Sequence, residues 1–120
     1  MSESVGKVKR ELQILSLSLP SAAKRQLTDA SPTLITAIAE FALNLVNNSD
    51  IDITPQQNRH LVKFKRDIAF LANEKICWKR KTHLIRKRGF KFVPTLIQAI
   101  LPYVERVRTD LSVGVSTLKK

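Results

Sequence analysis

Apolar residues along this chain recur at spacings of three and four, the period of helices that bury one face. From Lys7 to Leu19 the stretch KVKRELQILSLSL puts Val8, Leu12, Leu15 and Leu19 on one such stripe, although the alternation in its second half also suits a short strand. Residues 1 to 6 show no pattern and are expected to fray. Pro20 ends the first element, and SAAKRQLTDA has room for one or two helical turns. Ser31 followed by Pro32 is a helix start, because the serine hydroxyl can accept from a free backbone N–H and a proline costs nothing at the first helical position. The run TLITAIAEFALNLVNN then places Leu34, Ile38, Phe41 and Leu45 on one stripe, with Ile35, Ala42 and Val46 beside it. An apolar face of that width belongs to a central core helix. Asn47, Asn48, Ser49 and Asp50 stop it, and NSDIDI is a loop.

The start signal returns more strongly at Thr54-Pro55-Gln56-Gln57, where threonine with glutamine three residues later can form a capping box. The helix expected from Pro55 to Ala72 carries Leu61, Phe64, Ile68 and Leu71 on one face and Arg59, Lys63 and Arg66 on another. Asn73 is the natural break before a second basic helix, from about Glu74 to Arg88, with a thin apolar ridge of Cys77, Leu84 and Ile85. Gly89 is placed as a C-cap glycine should be. Beyond it FKFVPTLIQAILPYVERV changes character and is apolar around much of its circumference. Pro94 fits a first turn, whereas Pro102 should kink or end a long helix. Residues 109–120 read as a flexible tail. There is no internal repeat.

Composition narrows this to one small domain. A chain of 120 residues, 43% apolar and with only three glycines and five prolines, has a modest core and favours helices over strands and turns. The single cysteine, Cys77, excludes an internal disulfide and leaves no zinc site near His60 or His83. The polar N-terminus is unlike a signal peptide, and no run approaches the roughly 18 apolar residues a spanning helix needs. An intracellular, non-secreted protein is expected.

Charge changes the picture most. Between Arg59 and Lys91 lie twelve basic residues and two acidic ones, Asp67 and Glu74, which account for ten of the chain's eleven net positive charges. An isolated charge run is usually a solvated face, but such a face normally mixes signs. Like charges concentrated this way repel one another unless a counter-charge is supplied. The stretch is therefore read as a surface for a polyanion, with Arg59, Lys63, Lys65, Arg66, Lys75, Lys79, Arg80, Lys81, Arg86, Lys87, Arg88 and Lys91 as its contacts. Contacts of this kind neutralise phosphates and do not read base edges.

Other candidates are weaker. Trp78, flanked by Lys79, Arg80 and Lys81, could stack on a base, but a tryptophan more often covers a small core. Cys77 reads as a small buried hydrophobe, and His60 and His83 as surface residues. Asp50 and Asp52 lack a third ligand. With no phosphate loop, G-x-S-x-G or paired-histidine motif, the sequence implies no enzyme, metal or cofactor. The segment from Phe90 to Val104 has two readings: a core helix, or an amphipathic segment whose Phe90, Phe92, Val93, Leu96, Ile97, Ile100 and Leu101 meet a membrane or a partner protein.

One resemblance covers about residues 30–104. The ordered set S-P-x-L-I-x-A-I-x-E-x-A-L-N-L (Ser31 to Leu45), I-T-P-Q-Q (Ile53 to Gln57), F-L-A-N-E-K (Phe70 to Lys75) and K-R-K-x-x-L-I-x-x-R-G-F (Lys79 to Phe90), followed by an apolar run, resembles the small basic proteins of Maverick/Polinton-type elements and adintoviruses. Its last part is similar to the end of the adenovirus core protein X (mu) family. The resemblance implies a virion core component, found in the virion and host nucleus, that binds and condenses double-stranded DNA. The matching basic residues are Lys63, Lys65, Arg66, Lys75, Lys79, Arg80, Lys81, Arg86, Lys87 and Arg88. The family tends to carry further glycines where this chain has only Gly89, so a processing site of the L-x-G-G type is absent here, and residues 1–30 lie outside the match.

The expectation is therefore an all-α protein: a partly helical N-terminal segment (1–30), a basic domain (31–108) and a tail (109–120). It would have three to five helices, a basic face and an apolar C-terminal helix. Its expected role is sequence-independent duplex DNA binding. The alternatives are an RNA-binding accessory protein, or a module that meets capsid proteins or a membrane through residues 90–104.

Overall fold

The computed structural model describes residues 6, 8–48 and 51–103. These are all-α, with no strand among them: α1 (Lys9–Leu17), α2 (Pro20–Thr28), α3 (Pro32–Asn47), α4 (Pro55–Val62), α5 (Lys65–Ala72), α6 (Trp78–Arg88), a 3-10 turn (Gly89–Lys91) and α7 (93–103). Seven α-helices exceed the three to five expected, because the chain breaks at places where its apolar pattern runs on. Of residues 1 to 6, expected to fray, only Gly6 is described and it is helical; the rest, the flexible tail at 109–120, Asp50 and Val104 fall outside the described residues.

Three helices begin on proline, and one mechanism serves all three. A residue before proline is driven out of the α region. Leu19, Ser31 and Thr54 accordingly sit in extended backbone, at φ −69°, −70° and −65°, and act as N-caps for Pro20, Pro32 and Pro55. Ser31 Oγ accepts from the Leu34 N–H at 3.1 Å. At Thr54 the capping box closes in both directions: Gln57 N–H donates to Thr54 Oγ1 at 3.0 Å, and Thr54 N–H donates to Gln57 Oε1 at 3.1 Å. The same mechanism makes Pro20 a helix start as well as a stop. Because Leu19 is extended, it leaves the expected stripe and is 74% exposed, while Val8, Leu12 and Leu15 remain buried.

α3 is the centre of the molecule. It buries Leu34, Ile35, Ala37, Ile38, Ala39, Phe41 and Ala42 and packs chiefly against α5, with a further contact to α6. α2 lies against α6 and the 3-10 turn. Leu12, Leu15, Ala23 and Leu27 from the N-terminal helices share one hydrophobic cluster with α3 and α7, so residues 8–30 belong to the same core as the basic region.

The expected helix from Pro55 to Ala72 divides at Lys63–Phe64. There the N–H groups of Lys63 and Phe64 donate three residues back, to His60 O and Leu61 O, which tightens the turn and re-aims the chain. The half-buried Phe64 ring then stacks on Phe92, with centroids 5.5 Å apart. The next link is also longer than expected, and α6 starts at Trp78. Asn73 Oδ1 accepts from the Lys75 N–H at 2.9 Å, an Asx turn that competes with helix continuation.

Gly89 is the C-cap of α6, as expected, and at φ −57° it keeps ordinary helical backbone with no left-handed turn. Its lack of a side chain serves close packing: a Cβ there would stand 3.2 Å from Leu27 Cδ1 and from Val93 Cγ2. Pro102 lies in α7 one residue before the last described position, and what it does to the helix beyond 103 falls outside the described residues.

Candidate nucleic-acid interface

Of the twelve basic residues from Arg59 to Lys91, eleven are exposed: Arg59 on α4, Lys63 in the turn, Lys65 and Arg66 on α5, Lys75 in the link, Lys79, Arg80, Arg86, Lys87 and Arg88 on α6, and Lys91 in the 3-10 turn. Lys81 is the exception, only 4% exposed. Its stem joins Ile85, one helical turn on, as the buried side of α6, while its ammonium lies 4.7 Å from the centroid of the Trp78 ring. A lysine can bury its methylenes and still place its head group at an edge. Lys81 is thus a packing residue and is removed from the expected phosphate contacts.

This inward direction decides what α6 presents outward. At 100° per residue, the side opposite Lys81 and Ile85 carries Lys79, Arg80, His83, Arg86 and Lys87. His83 lies at the centre of that group, with Lys79 and Arg80 at its −4 and −3 positions and Arg86 and Lys87 at +3 and +4. Lys79, His83 and Lys87 form a row that rises about 6 Å per step.

Few carboxylates lie among these cations. Asp67 is engaged by Arg88, whose Nη2 and Nε donate to its Oδ2 at 3.1 and 3.2 Å and tie α6 to α5. Arg86 Nη2 donates to the Ala30 carbonyl at 3.1 Å, which holds α6 to the end of α2 without neutralising the charge. Arg80 lies 5.3 Å from the Phe70 ring centroid, a contact that orients the guanidinium and leaves its charge intact. Arg59, Lys63, Lys65, Arg66, Lys75, Lys79 and Lys87 have no carboxylate partner among the described residues. Lys24 of α2 adds a cation at the other end, 5.4 Å from the half-buried Phe90 ring.

An open groove of about 970 Å³ follows α6, with Thr28, Phe70 and Leu84 among its lining and Arg80, His83 and Lys87 along it. Thr28 and Phe70 come from α2 and α5, and nothing in the local sequence of either marks it as a neighbour of the basic helix. An apolar strip flanked by cations and hydroxyls suits a ligand that is anionic along its length.

The remaining candidates separate clearly. His60 is half-buried and not a plain surface residue: its Nε2 donates to the Lys91 carbonyl at 2.8 Å and fixes the 3-10 turn to α4. Cys77 is an exposed free thiol, contrary to the buried position expected, because the Asx turn carries it away from the core as N-cap of α6. Trp78 is 50% exposed and does not cover a core. Asp52 is exposed, and among the described residues no group of three or more His, Cys, Asp or Glu is placed to hold a metal ion.

The membrane or partner set is corrected by burial. Phe92, Val93, Leu96, Ile97 and Ile100 are fully buried, Leu101 is 7% exposed, and Phe90 packs partly against the same core. Apolar surface already withdrawn from water within the fold offers little gain from a second apolar phase. No helix of the described residues is long and apolar enough to cross a membrane. No family model matches this chain, and no curated protein or solved structure is found to be similar to it.

Proposed function

We propose that this protein binds duplex DNA without sequence preference and condenses it, through one cationic face formed by the exposed side chains of α4, α5, α6 and the turns between them. The observation that carries the reading is the outward side of α6, where Lys79, Arg80, Arg86 and Lys87 surround His83 with no carboxylate among them. Such a cluster weakens the helix that bears it, and that cost is offset when phosphates replace the missing counter-charges and release their condensed ions. A row about 12 Å long spans about seven phosphate charges of a duplex, at one per 1.7 Å of axis. The role is structural and not enzymatic. A virion-core setting rests on the order of sequence motifs alone.

The test is a salt titration of binding to two duplexes of unrelated sequence and to a structured RNA of matched length. Equal affinity for the two duplexes is expected, with a steep fall of log K with log salt. A tenfold preference for the RNA would replace duplex binding with an RNA-binding function.

A further inference from the structure

Trp78 is the one tryptophan of the chain, and the fold leaves half of it in solvent. Large aromatic rings usually enter the core or an interface, where their area is withdrawn from water. Here the ring is held at the surface instead. Lys81, itself buried, places its ammonium 4.7 Å from the ring centroid, so one side of the indole is braced by a side chain that cannot move freely. Half of the residue nonetheless stays in solvent. Beside it opens a cleft of about 220 Å³ whose lining includes Leu43, Leu71, Ala72 and Glu74. Exposed cations flank the ring in the chain, Lys75 three residues before it and Lys79 and Arg80 immediately after.

We infer that Trp78 is a stacking site for an unpaired nucleobase, so that the protein holds single-stranded or locally opened nucleic acid in addition to duplex. This rests on the nucleic-acid reading of the neighbouring cations. Three requirements of single-strand binding meet at this position. The indole is half exposed, and every base has a π-face to lay on such a ring. The ring is preorganised, because the Lys81 ammonium under it restricts its rotation and adds a cation–π contact on the far side. Lys75 precedes the ring in the chain and Lys79 and Arg80 follow it, as cations for the flanking phosphates. Glu74, at the edge of the cleft, repels phosphate and accepts hydrogen bonds, which directs the sugar-phosphate chain toward Lys75 and Lys79 and leaves the base edge toward the carboxylate. In an intact duplex the bases are stacked on each other and none can reach the indole, so the two modes are separable by experiment.

Because Trp78 is the only tryptophan, its intrinsic fluorescence reports on the site without a label. The wild-type chain and the Trp78→Ala and Trp78→Phe variants are titrated into an end-labelled oligothymidine of 20 nucleotides and an end-labelled 20-base-pair duplex at a series of matched ionic strengths, with fluorescence anisotropy of the label reading affinity and salt slope for all three proteins and indole quenching followed in the wild type with unlabelled oligothymidine. Single-strand binding quenches the wild-type indole. Trp78→Ala weakens single-strand affinity about 5- to 150-fold, Trp78→Phe keeps most of it, and both leave duplex affinity within about twofold and the helical circular dichroism unchanged. Absence of quenching, absence of single-strand binding, or an equal loss on both ligands overturns the stacking site. Steep duplex binding with no effect of Trp78→Ala on the single strand sinks this inference alone. Selective loss on the single strand, with a duplex slope that stays shallow, sinks the duplex reading alone.

Discussion

Replacing His83 by glutamate separates the two consequences of the arrangement on α6, because it should make the protein more stable and a worse ligand for DNA. His83 is exposed, and its four helical neighbours at −4, −3, +3 and +4 are Lys79, Arg80, Arg86 and Lys87. A carboxylate at the centre can pair with any of them. Each such pair contributes about 0.2–0.5 kcal/mol, with the C-terminal partners better oriented for a glutamate. One carboxylate cannot serve four cations at full strength, so a gain of about 0.5–1 kcal/mol is expected, or about 2–5 °C in Tm for a domain of this size. The same pairs withdraw one or two cations from phosphate. The slope of log K against log salt should fall by about 0.9 for each, and duplex affinity by about 5- to 50-fold near 0.1 M salt. Thermal denaturation followed by circular dichroism reads the first effect, and fluorescence anisotropy of a labelled duplex reads the second. A variant that gains stability while binding duplex as the wild type does would show that this side of α6 does not face the polyanion. A variant that loses stability would refute the placement of the four cations around His83.

Two further substitutions test the frame that holds this helix. Phe92 is fully buried and stacks on Phe64, so Phe92→Ala should cost about 3–5 kcal/mol in urea denaturation; a loss under about 1 kcal/mol would return the segment after Gly89 to a solvent-facing role. Thr54→Ala removes the hydroxyl that accepts from the Gln57 N–H in the capping box at α4 and should cost about 1 kcal/mol, largely restored by Thr54→Ser, whereas equal stability of all three proteins would contradict the cap.

How much of this is legible in the sequence follows from how local each cause is. The starts at Pro32 and Pro55 are set by a proline and by hydroxyls three residues from their partners, and both are readable. The break at Lys63–Phe64 involves neither glycine nor proline; it is stabilised where Phe64 meets Phe92, 28 positions away in the chain, so periodicity alone joins the two halves. On α6 the difficulty is one of direction. With few apolar residues on the helix, Leu84 and Cys77 are as fit by type as Ile85 to define the inward ridge, and only the packing on α2 and α3 selects the side shared by Ile85 and Lys81. That choice buries a lysine and exposes a tryptophan, the reverse of what residue type suggests. The concentration of charge from Arg59 to Lys91 is plain, but the central position of His83 and the joining of Thr28 and Phe70 to the groove depend on the packed helices.

The most direct test is the salt dependence of duplex binding by the wild type and by a triple variant, Lys79→Gln, Arg80→Gln and Lys87→Gln, with Lys81→Gln as control. The wild-type slope should be steep and should fall by about 0.9 for each phosphate that is no longer neutralised, up to about 2.7 in the triple variant, while Lys81→Gln costs stability and leaves the slope in place. A triple variant with the wild-type slope, or a Lys81→Gln protein whose slope falls as far, would contradict the claim that the outward side of α6 is where this protein meets DNA.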